Sequence, residues 1–477
     1  MSGLNGRLNQ WFQISLSLSL SRNLDTFPSE MGSTSVEAEA EGSHVIRIWE
    51  VNKDRLEAMH KKISEPPRLL SISAGKQSCC IFRAPKSFVD INGKSYQPHI
   101  VSIGPYHHGE PHLQMIEEHK WRYLGSLLDR MKTTTGLVLE DFLKAVESLE
   151  LKARECYSET IQFNTDEFVE LLVLDGLFII ELFRKVAKLV KFEPDDPIIT
   201  MTWILPFFYR DFLKLENQIP YFVLEHLFDL SKLPGEESGA TLTTLALEFF
   251  NYALLREDED IAKHKHLKGR HLLDLVRSSL IPSDQAEPVK GNTNTQTQVI
   301  HSISKLRRAG IKLNPAKEES FLVIRFRHGV IEMPTITIDD FMTYFLLNCV
   351  AYEQCHSGCS KHITSYATML DYLVNTSRDV EYLCDRNIIE NNLGTDVEVA
   401  HFINNLGKDV AFDIELCYLS KLFNDVHHYY CNSWHVQWAS FKYTYFDTPW
   451  SFISALAALI LLLLTIAQTV FTIYSAI

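Results

Sequence analysis

Phe168-Val-Glu-Leu-Leu-Val-Leu-Asp-Gly-Leu-Phe-Ile-Ile-Glu-Leu-Phe183 is the stretch on which the reading of the fold turns. Asp166 opens it, and it is apolar enough to resemble a membrane span. Glu170, Asp175 and Glu181 argue otherwise, because an acid at a bilayer centre costs about 2.5–3.5 kcal/mol on insertion scales. The stretch therefore reads as the central helix of a water-soluble helical body. Its acids are expected to find partners wherever they are buried.

Outward from this helix the helical period recurs. Leu113, Ile116, Leu124, Leu127 and Leu128 share one face after His112, with Glu117, Glu118 and Lys120 assigned to another. Pro220 lies between two apolar runs, Phe212–Leu215 and Tyr221–Leu230, and forces a restart, with Asn217 as the expected N-cap of the second run. Asp339 caps a helix through Phe345 to Tyr352, and another runs over Ile363–Val374. Strands are few. Phe321–Phe326 and Val330–Ile338 flank His328-Gly329, a hairpin signal, and short extended pieces are expected at Cys79–Arg83 and Pro98–Ile103. The fold class is mainly α: a large helical body with a minor β hairpin, plus one C-terminal transmembrane helix.

That last helix is read from its composition. From Trp450 to Ile477 no residue is charged, and Phe452–Phe471 forms a continuous apolar run of twenty residues. At ~1.5 Å per residue such a helix covers ~30 Å, the hydrocarbon thickness of a bilayer. Trp450 and Tyr474 bracket it as interfacial anchors; Phe452, Leu459, Leu462 and Phe471 face lipid, and Gln468 carries the one real insertion cost. Thr465, Gln468, Thr469 and Thr472 form a polar stripe that either pairs helices or is satisfied within its own helix. Residues 1–44 read as a disordered or doubtful N-terminal extension, 45–449 as the soluble helical domain with a subdivision at the 282–298 loop, and 450–474 as the span. The apolar run Trp11–Leu20 is too short to cross a membrane. Without a clear signal peptide, the span is expected to insert late and leave the body in the cytosol.

With 46% hydrophobic and 22% charged residues the composition is that of a globular chain. A net charge of −14 argues against a nucleic-acid partner. Lys263–Arg270 is a local basic stretch, but the acidic run Glu257–Asp260 precedes it, and a solvated mixed-charge segment is the favoured reading. Nine scattered cysteines suit reduced thiols better than a disulfide scaffold.

Phosphate-binding, dinucleotide, zincin, calcium and nucleophile-elbow motifs are all missing from the sequence. Two clusters come nearest to a metal site. His99, His107, His108, His112 and His119 accompany Glu117 and Glu118, but the turns imposed by Gly104-Pro105, Gly109 and Pro111 give them no fixed geometry. Cys355-His356 and Cys359 with His362, preceded by Cys349, crowd one short segment where a tetrahedral site usually joins two separated pairs. No metal and no cofactor is expected.

One set of motifs is more specific. Phe82-Arg-Ala-Pro85, Val101-Ser-Ile-Gly-Pro-Tyr-His-His-Gly109, Glu117-Glu-His-Lys120, Glu170-Leu-Leu-Val-Leu-Asp-Gly176, Leu215-Glu-Asn-Gln-Ile-Pro220, Ala351-Tyr-Glu-Gln354, Thr364-Ser-Tyr366 and Tyr445-Phe-Asp-Thr-Pro-Trp450 occur in that order. Together they resemble the plant "domain of unknown function 247" family over about residues 47 to 475. The resemblance implies a land-plant membrane protein with a helical body, one C-terminal span and no assigned activity. Some grass members look implicated in self-incompatibility, which implies recognition. It carries over no catalytic or ligand residue, and the first thirty residues extend beyond the family's usual start.

Asp175 and Glu216 lie within apolar motifs and call for partners, with Arg83, Lys120 and nearby histidines as candidates. A structural polar network is preferred to an active site. The functional expectation is a membrane-anchored recognition or scaffold protein whose partners are a lipid bilayer and another protein. The alternative is a membrane-associated enzyme using Asp175, Glu216, Glu118 or the histidines near Gly104 as acid–base groups.

Overall fold

The computed structural model describes residues 52–232, 240–282, 299–431 and 449–476. The 1–44 extension and all but the first residue of the 282–298 loop lie outside these. Two compact units divide the chain between Ser64 and Glu65. In the first, helix α1 (Lys53–Ser64) buries none of its side chains.

The described part of the second unit is helical with two small sheets. Its principal helices are α2 (Gln114–Thr134), α3 (Leu139–Glu147), α4 (Thr165–Val186), α5 (Tyr221–Leu230), α6 (Leu242–Leu254) and α7 (Leu272–Ser278) in the N-terminal part. They continue as α8 (Asp340–Cys355), α9 (His362–Leu373), α10 (Ser377–Asp385), α11 (Asp396–Leu406), α12 (Ser420–Cys431) and α13 (Pro449–Ala476).

Helix α4 is the central element that its sequence calls for. Asn164 caps it, accepting from the Glu167 amide at 2.8 Å while the Glu167 carboxylate accepts from the Asn164 amide at 3.1 Å. From Phe168 to Lys185 every residue but Glu170 is buried. Helices α2, α3, α5 and α6 pack around it. Phe178 meets Tyr123 at 5.2 Å between ring centroids and Phe208 at 5.8 Å, while Phe183 meets Phe249 at 4.8 Å. Gly176 lets α5 approach: a Cβ there would stand 2.5 Å from Leu227 Cδ1. Its acids take the partners burial demands, Glu181 pairing with Arg130 and Asp175 with Lys120.

The Asp339 cap is as read, its carboxylate accepting from the Met342 amide at 2.8 Å. Asn217 is not a cap. Helix α5 begins directly after Pro220, and the Asn217 side chain reaches back to the chain at Val101 and Ile103. The hairpin forms between β2 (Arg325–Arg327) and β3 (Val330–Pro334), with φ of 50° at His328 and 79° at Gly329, a turn that suits the strand twist. A further strand, β1 (Lys312–Ala316), pairs in parallel with β3 and makes a three-stranded sheet. The run to Ile338 breaks at Thr335, and β4 (Ile336–Ile338) pairs instead with β5 (Ile389–Asn391). The extended pieces at Cys79–Arg83 and Pro98–Ile103 form no strand; Ile81 makes a single bridge with Tyr157.

Phe178→Ala removes a fully buried ring from this cluster and should cost about 3–5 kcal/mol, read as a lowered midpoint in denaturant unfolding of the chain in detergent. A loss below about 1 kcal/mol would show that α4 is not the packing centre.

Candidate functional site

The chain from Pro98 to Tyr106 runs through the body without regular structure, so its backbone groups need other partners. Side chains supply them. The Asp211 carboxylate accepts from the amides of His99 at 2.9 Å and Ile100 at 2.8 Å, and from His99 Nδ1 at 3.1 Å. Asn217 accepts from the Ile103 amide at 2.7 Å and donates to the carbonyls of Val101 and Asp211, both at 3.0 Å. Asp175 accepts from the Gly104 amide at 2.7 Å. Gly104 has φ +75°, and a Cβ on it would lie 2.4 Å from the Gln218 carbonyl oxygen, so no other residue fits.

Lys120 completes this knot. Its ammonium is buried and spends three protons on three acceptors: Asp175 at 2.6 Å, Glu117 at 2.5 Å and the Ser102 carbonyl at 2.5 Å. Burial raises the Asp175 carboxyl above its usual range, with the Lys120 charge opposing that rise. Glu216 sits in a separate pair. Arg83 donates to it at 3.1 Å, the His107 ring lies 3.0 Å away and the Ala84 amide donates at 2.8 Å. Burial pushes the Glu216 carboxyl up, but these three groups outweigh it and hold it below the ordinary range.

A second knot joins α7, α8 and α9. Arg277 and Glu353 are buried and bonded at 2.7 Å. The Glu353 carboxylate also accepts from the amides of Ile363 at 3.2 Å and Thr364 at 2.7 Å, at the N-terminus of α9 where a negative charge is favoured. Beside it His271 caps α7: its Nδ1 accepts from the Asp274 amide at 3.2 Å and its Nε2 donates to the Cys80 carbonyl at 3.0 Å. Burial pushes the His271 ring down to about 4, and burial with the nearby Arg270 charge does the same to His356.

The partner assignments expected for Asp175 and Glu216 therefore hold: Lys120 takes the first, Arg83 and His107 the second. The motifs at Gly104, Lys120, Asp175 and Asn217 meet in the first knot, those at Arg83, His107 and Glu216 in the cluster beside it, and those at Glu353 and Thr364 in the second knot. Their acid–base groups are closed into separate pairs, while Glu118 is exposed. The candidate metal clusters disperse. His99 turns to Asp211, His107 to Glu216, and His108 packs against Phe163 at 5.6 Å. His356 stacks on Tyr352 and His362 on Tyr418, while Cys359 donates to the His356 carbonyl. Among the described residues no group of three His, Cys, Asp or Glu side chains is placed to hold a metal. None of the nine cysteines is joined in a disulfide. Lys263 pairs with Asp260 and Glu319, and Lys268 with Glu225, so two cations of the basic stretch are matched by acids.

Two surface features of the second unit stand out among the described residues. The first is an open groove of about 430 Å³ between α2, α3 and α4 that the sequence reading did not anticipate. Trp121, Leu139, Leu143 and Val173 give it an apolar floor and wall, and all three of its charged lining residues, Glu147, Asp166 and Glu170, are acidic. Trp121 is half exposed. The second is α13. Over Ile453–Tyr474 its mean hydropathy is 2.4, and it is long and apolar enough to cross a membrane. Trp450, Leu459, Leu462, Gln468, Phe471 and Tyr474 are all exposed, and Phe452 lies on the same helix. The hydroxyls of Thr465, Thr469 and Thr472 each donate to a carbonyl four residues back at 2.7–2.8 Å, so the polar stripe is satisfied within its own helix.

A family model for a plant protein of unknown function, DUF247, matches residues 81–464. UPF0481 protein At3g47200 of Arabidopsis thaliana is similar, 39% identical over 434 residues that cover 86% of this chain and 90% of the relative. Putative UPF0481 protein At3g02645 of the same plant is 24% identical over 493 residues, covering 83% of this chain and 90% of its own length. No solved structure matches the chain significantly.

Removing one member of the first knot should strand a buried charge. Lys120→Met is expected to cost about 3–5 kcal/mol, and adding Asp175→Asn should recover part of that loss, as read by denaturant unfolding. Additive losses in the double variant would show that the two do not form one unit. The histidines set a pH dependence. Their folded values near 4 lie below the unfolded value of about 6.5, so acid protonates the unfolded chain first. Stability is fully present above pH ~6.5 and is lost towards pH ~4, by about 1.4 kcal/mol per pH unit for each ring. His271→Asn keeps a cap acceptor without the titration, and should make that decline shallower by one such increment.

Proposed function

The chain belongs to the plant DUF247 family, whose function is unknown, and on that premise we propose that it is a membrane-tethered protein-recognition module. In this reading α13 holds the chain in a bilayer, and the groove between α2, α3 and α4 receives a segment of another protein. The groove carries the proposal. A concave apolar surface left open to water by a body that buries its core elsewhere is the kind of feature that marks a contact site. Trp121, at its edge, is the residue type that dominates contact energies. The acidic rim favours a partner segment that brings lysine or arginine beside apolar anchors. The groups suited to acid–base chemistry are by contrast closed in pairs, which favours recognition over catalysis.

Nine cysteines, none of them in a disulfide, support a body in a reducing compartment, the cytosolic side of the membrane. Protease protection tests this on microsomes from cells making the chain tagged at its N-terminus, with and without residues 450–477. The tag of the full-length chain should be digested without detergent, and the truncated chain should leave the membrane fraction. A protected tag would place the body in the lumen; a full-length chain that stays soluble would remove the anchor.

Proximity labelling then tests the groove. Trp121→Glu should lower the yield of its partners by roughly tenfold or more, the scale of losing an aromatic contact anchor. Trp203→Glu, at another half-exposed tryptophan, should leave the partner set intact. Identical partner sets for wild type and Trp121→Glu would exclude the groove.

A further inference from the structure

Helix α1 is described by itself as Lys53-Asp-Arg-Leu-Glu-Ala-Met-His-Lys-Lys-Ile-Ser64, and all its residues are exposed. Its large apolar members, Leu56, Met59 and Ile63, are spaced three and four residues apart. At ~100° per residue they fall within ~60° of one another, so they make one narrow stripe. Arg55 and Lys62 border the stripe on one side, and Lys53 and His60 on the other. The two acids, Asp54 and Glu57, lie towards the opposite pole together with Lys61. Leu56, Met59 and Ile63 are 43%, 59% and 77% exposed.

We propose that α1 is an interfacial helix that lies on an anionic lipid surface, with Leu56, Met59 and Ile63 in the headgroup boundary and the flanking cations among lipid phosphates and carboxylates. Charge complementarity selects this occupant. Cations on both borders of an apolar stripe can extend outward to headgroups while their stems stay in the apolar layer. Acids confined to the far side avoid the negative potential of such a surface. An acid-rimmed protein groove is the competing occupant, and the test below separates the two. Three apolar side chains bind a bilayer weakly on their own, and the contact becomes effective in a chain already tethered to one. To that extent it rests on the α13 anchor proposed above.

Hydrogen–deuterium exchange of the full-length chain in lipid nanodiscs tests it. One disc is phosphatidylcholine alone; the other holds about 30% phosphatidylserine, an anionic surface of the cytosolic-leaflet type. Amides of residues 53–64 should exchange about tenfold more slowly in the anionic disc, the effect of one to two cations at such a surface. Salt at ~0.5 M, where charges are screened within a few Å, should reverse the protection. Arg55→Glu with Lys62→Glu, both exposed, should abolish it while exchange elsewhere stays unchanged. Equal exchange of 53–64 in both discs overturns the proposal. So does protection that appears only when an acidic protein is added, which would assign α1 to a protein partner. Should the chain not remain with the discs, the anchor fails on its own. The same comparison is then made on the soluble chain with free vesicles of the two compositions, and the same outcomes decide.

Discussion

Buried backbone without regular structure is the constraint on which the rest of this body depends. The segment from Pro98 to Tyr106 has no strand to pair with, and each N–H or C=O left unpaired in the interior would cost about 1–3 kcal/mol. Asp211, Asn217 and Asp175 act as a substitute ladder, accepting from amides at His99, Ile100, Ile103 and Gly104. The supporting segment after Asp211 is itself irregular and is held in turn. Gln218 donates to the carbonyls of Phe212 and Lys214, and Asn348 of α8 accepts from the Leu215 amide. Two irregular stretches thus brace each other through side chains, and helices α2, α4 and α8 are fixed by the groups they contribute.

This arrangement explains why ionised groups occupy an apolar core. A buried ion pair adds little net stability, because the desolvation it costs nearly equals the attraction it gains. Its effect is asymmetric: any packing that separates Lys120 from Asp175, or Arg277 from Glu353, leaves a charge stranded. Lys120 also reaches the Ser102 carbonyl, and Glu353 the amides that start α9. Each pair therefore ties a helix to a segment distant in sequence. Such groups resemble catalytic residues in a sequence, being charged, embedded and clustered by motif. In the fold Lys120, Asp175, Arg277 and Glu353 are buried and bonded to groups of the chain itself.

Much of this was legible from residue types and spacing. Three carboxylates inside Phe168–Phe183 were enough to separate a core helix from a membrane span. Asp339 capped where its position required, and His328-Gly329 turned the chain where two positive φ values were needed. Asn217 misled because proline already sets the start of α5, freeing the amide for a contact more than a hundred residues away; local rules cannot see such a contact. Lys120 was named as a partner for Asp175 yet placed on a different face from the apolar one, although it stands four residues after Ile116 and four before Leu124, on the apolar stripe itself. That spacing was the missed signal. The groove left none, since Trp121, Leu143 and Val173 belong to three helices and each reads as ordinary core.

Apolar surface open to water carries most weight where it is grouped on one element or in one concavity. Leu56, Met59 and Ile63 on α1, the Trp121 groove and Ile453–Tyr474 of α13 are three such places, and their charges differ in a way that packing does not require. Helix α13 has none, the charged residues lining the groove are acids, and the borders of the α1 stripe carry cations. A fold selecting only for stability has no reason to sort charge by apolar surface in this way, because exposed ion pairs contribute at most about 1 kcal/mol. Sorting matters when each surface meets a different medium. Hydrocarbon excludes charge, an anionic headgroup layer attracts cations, and a basic peptide is drawn to an acidic rim. The information about function therefore lies in where water has been left against carbon, and in the sign of the charge beside it.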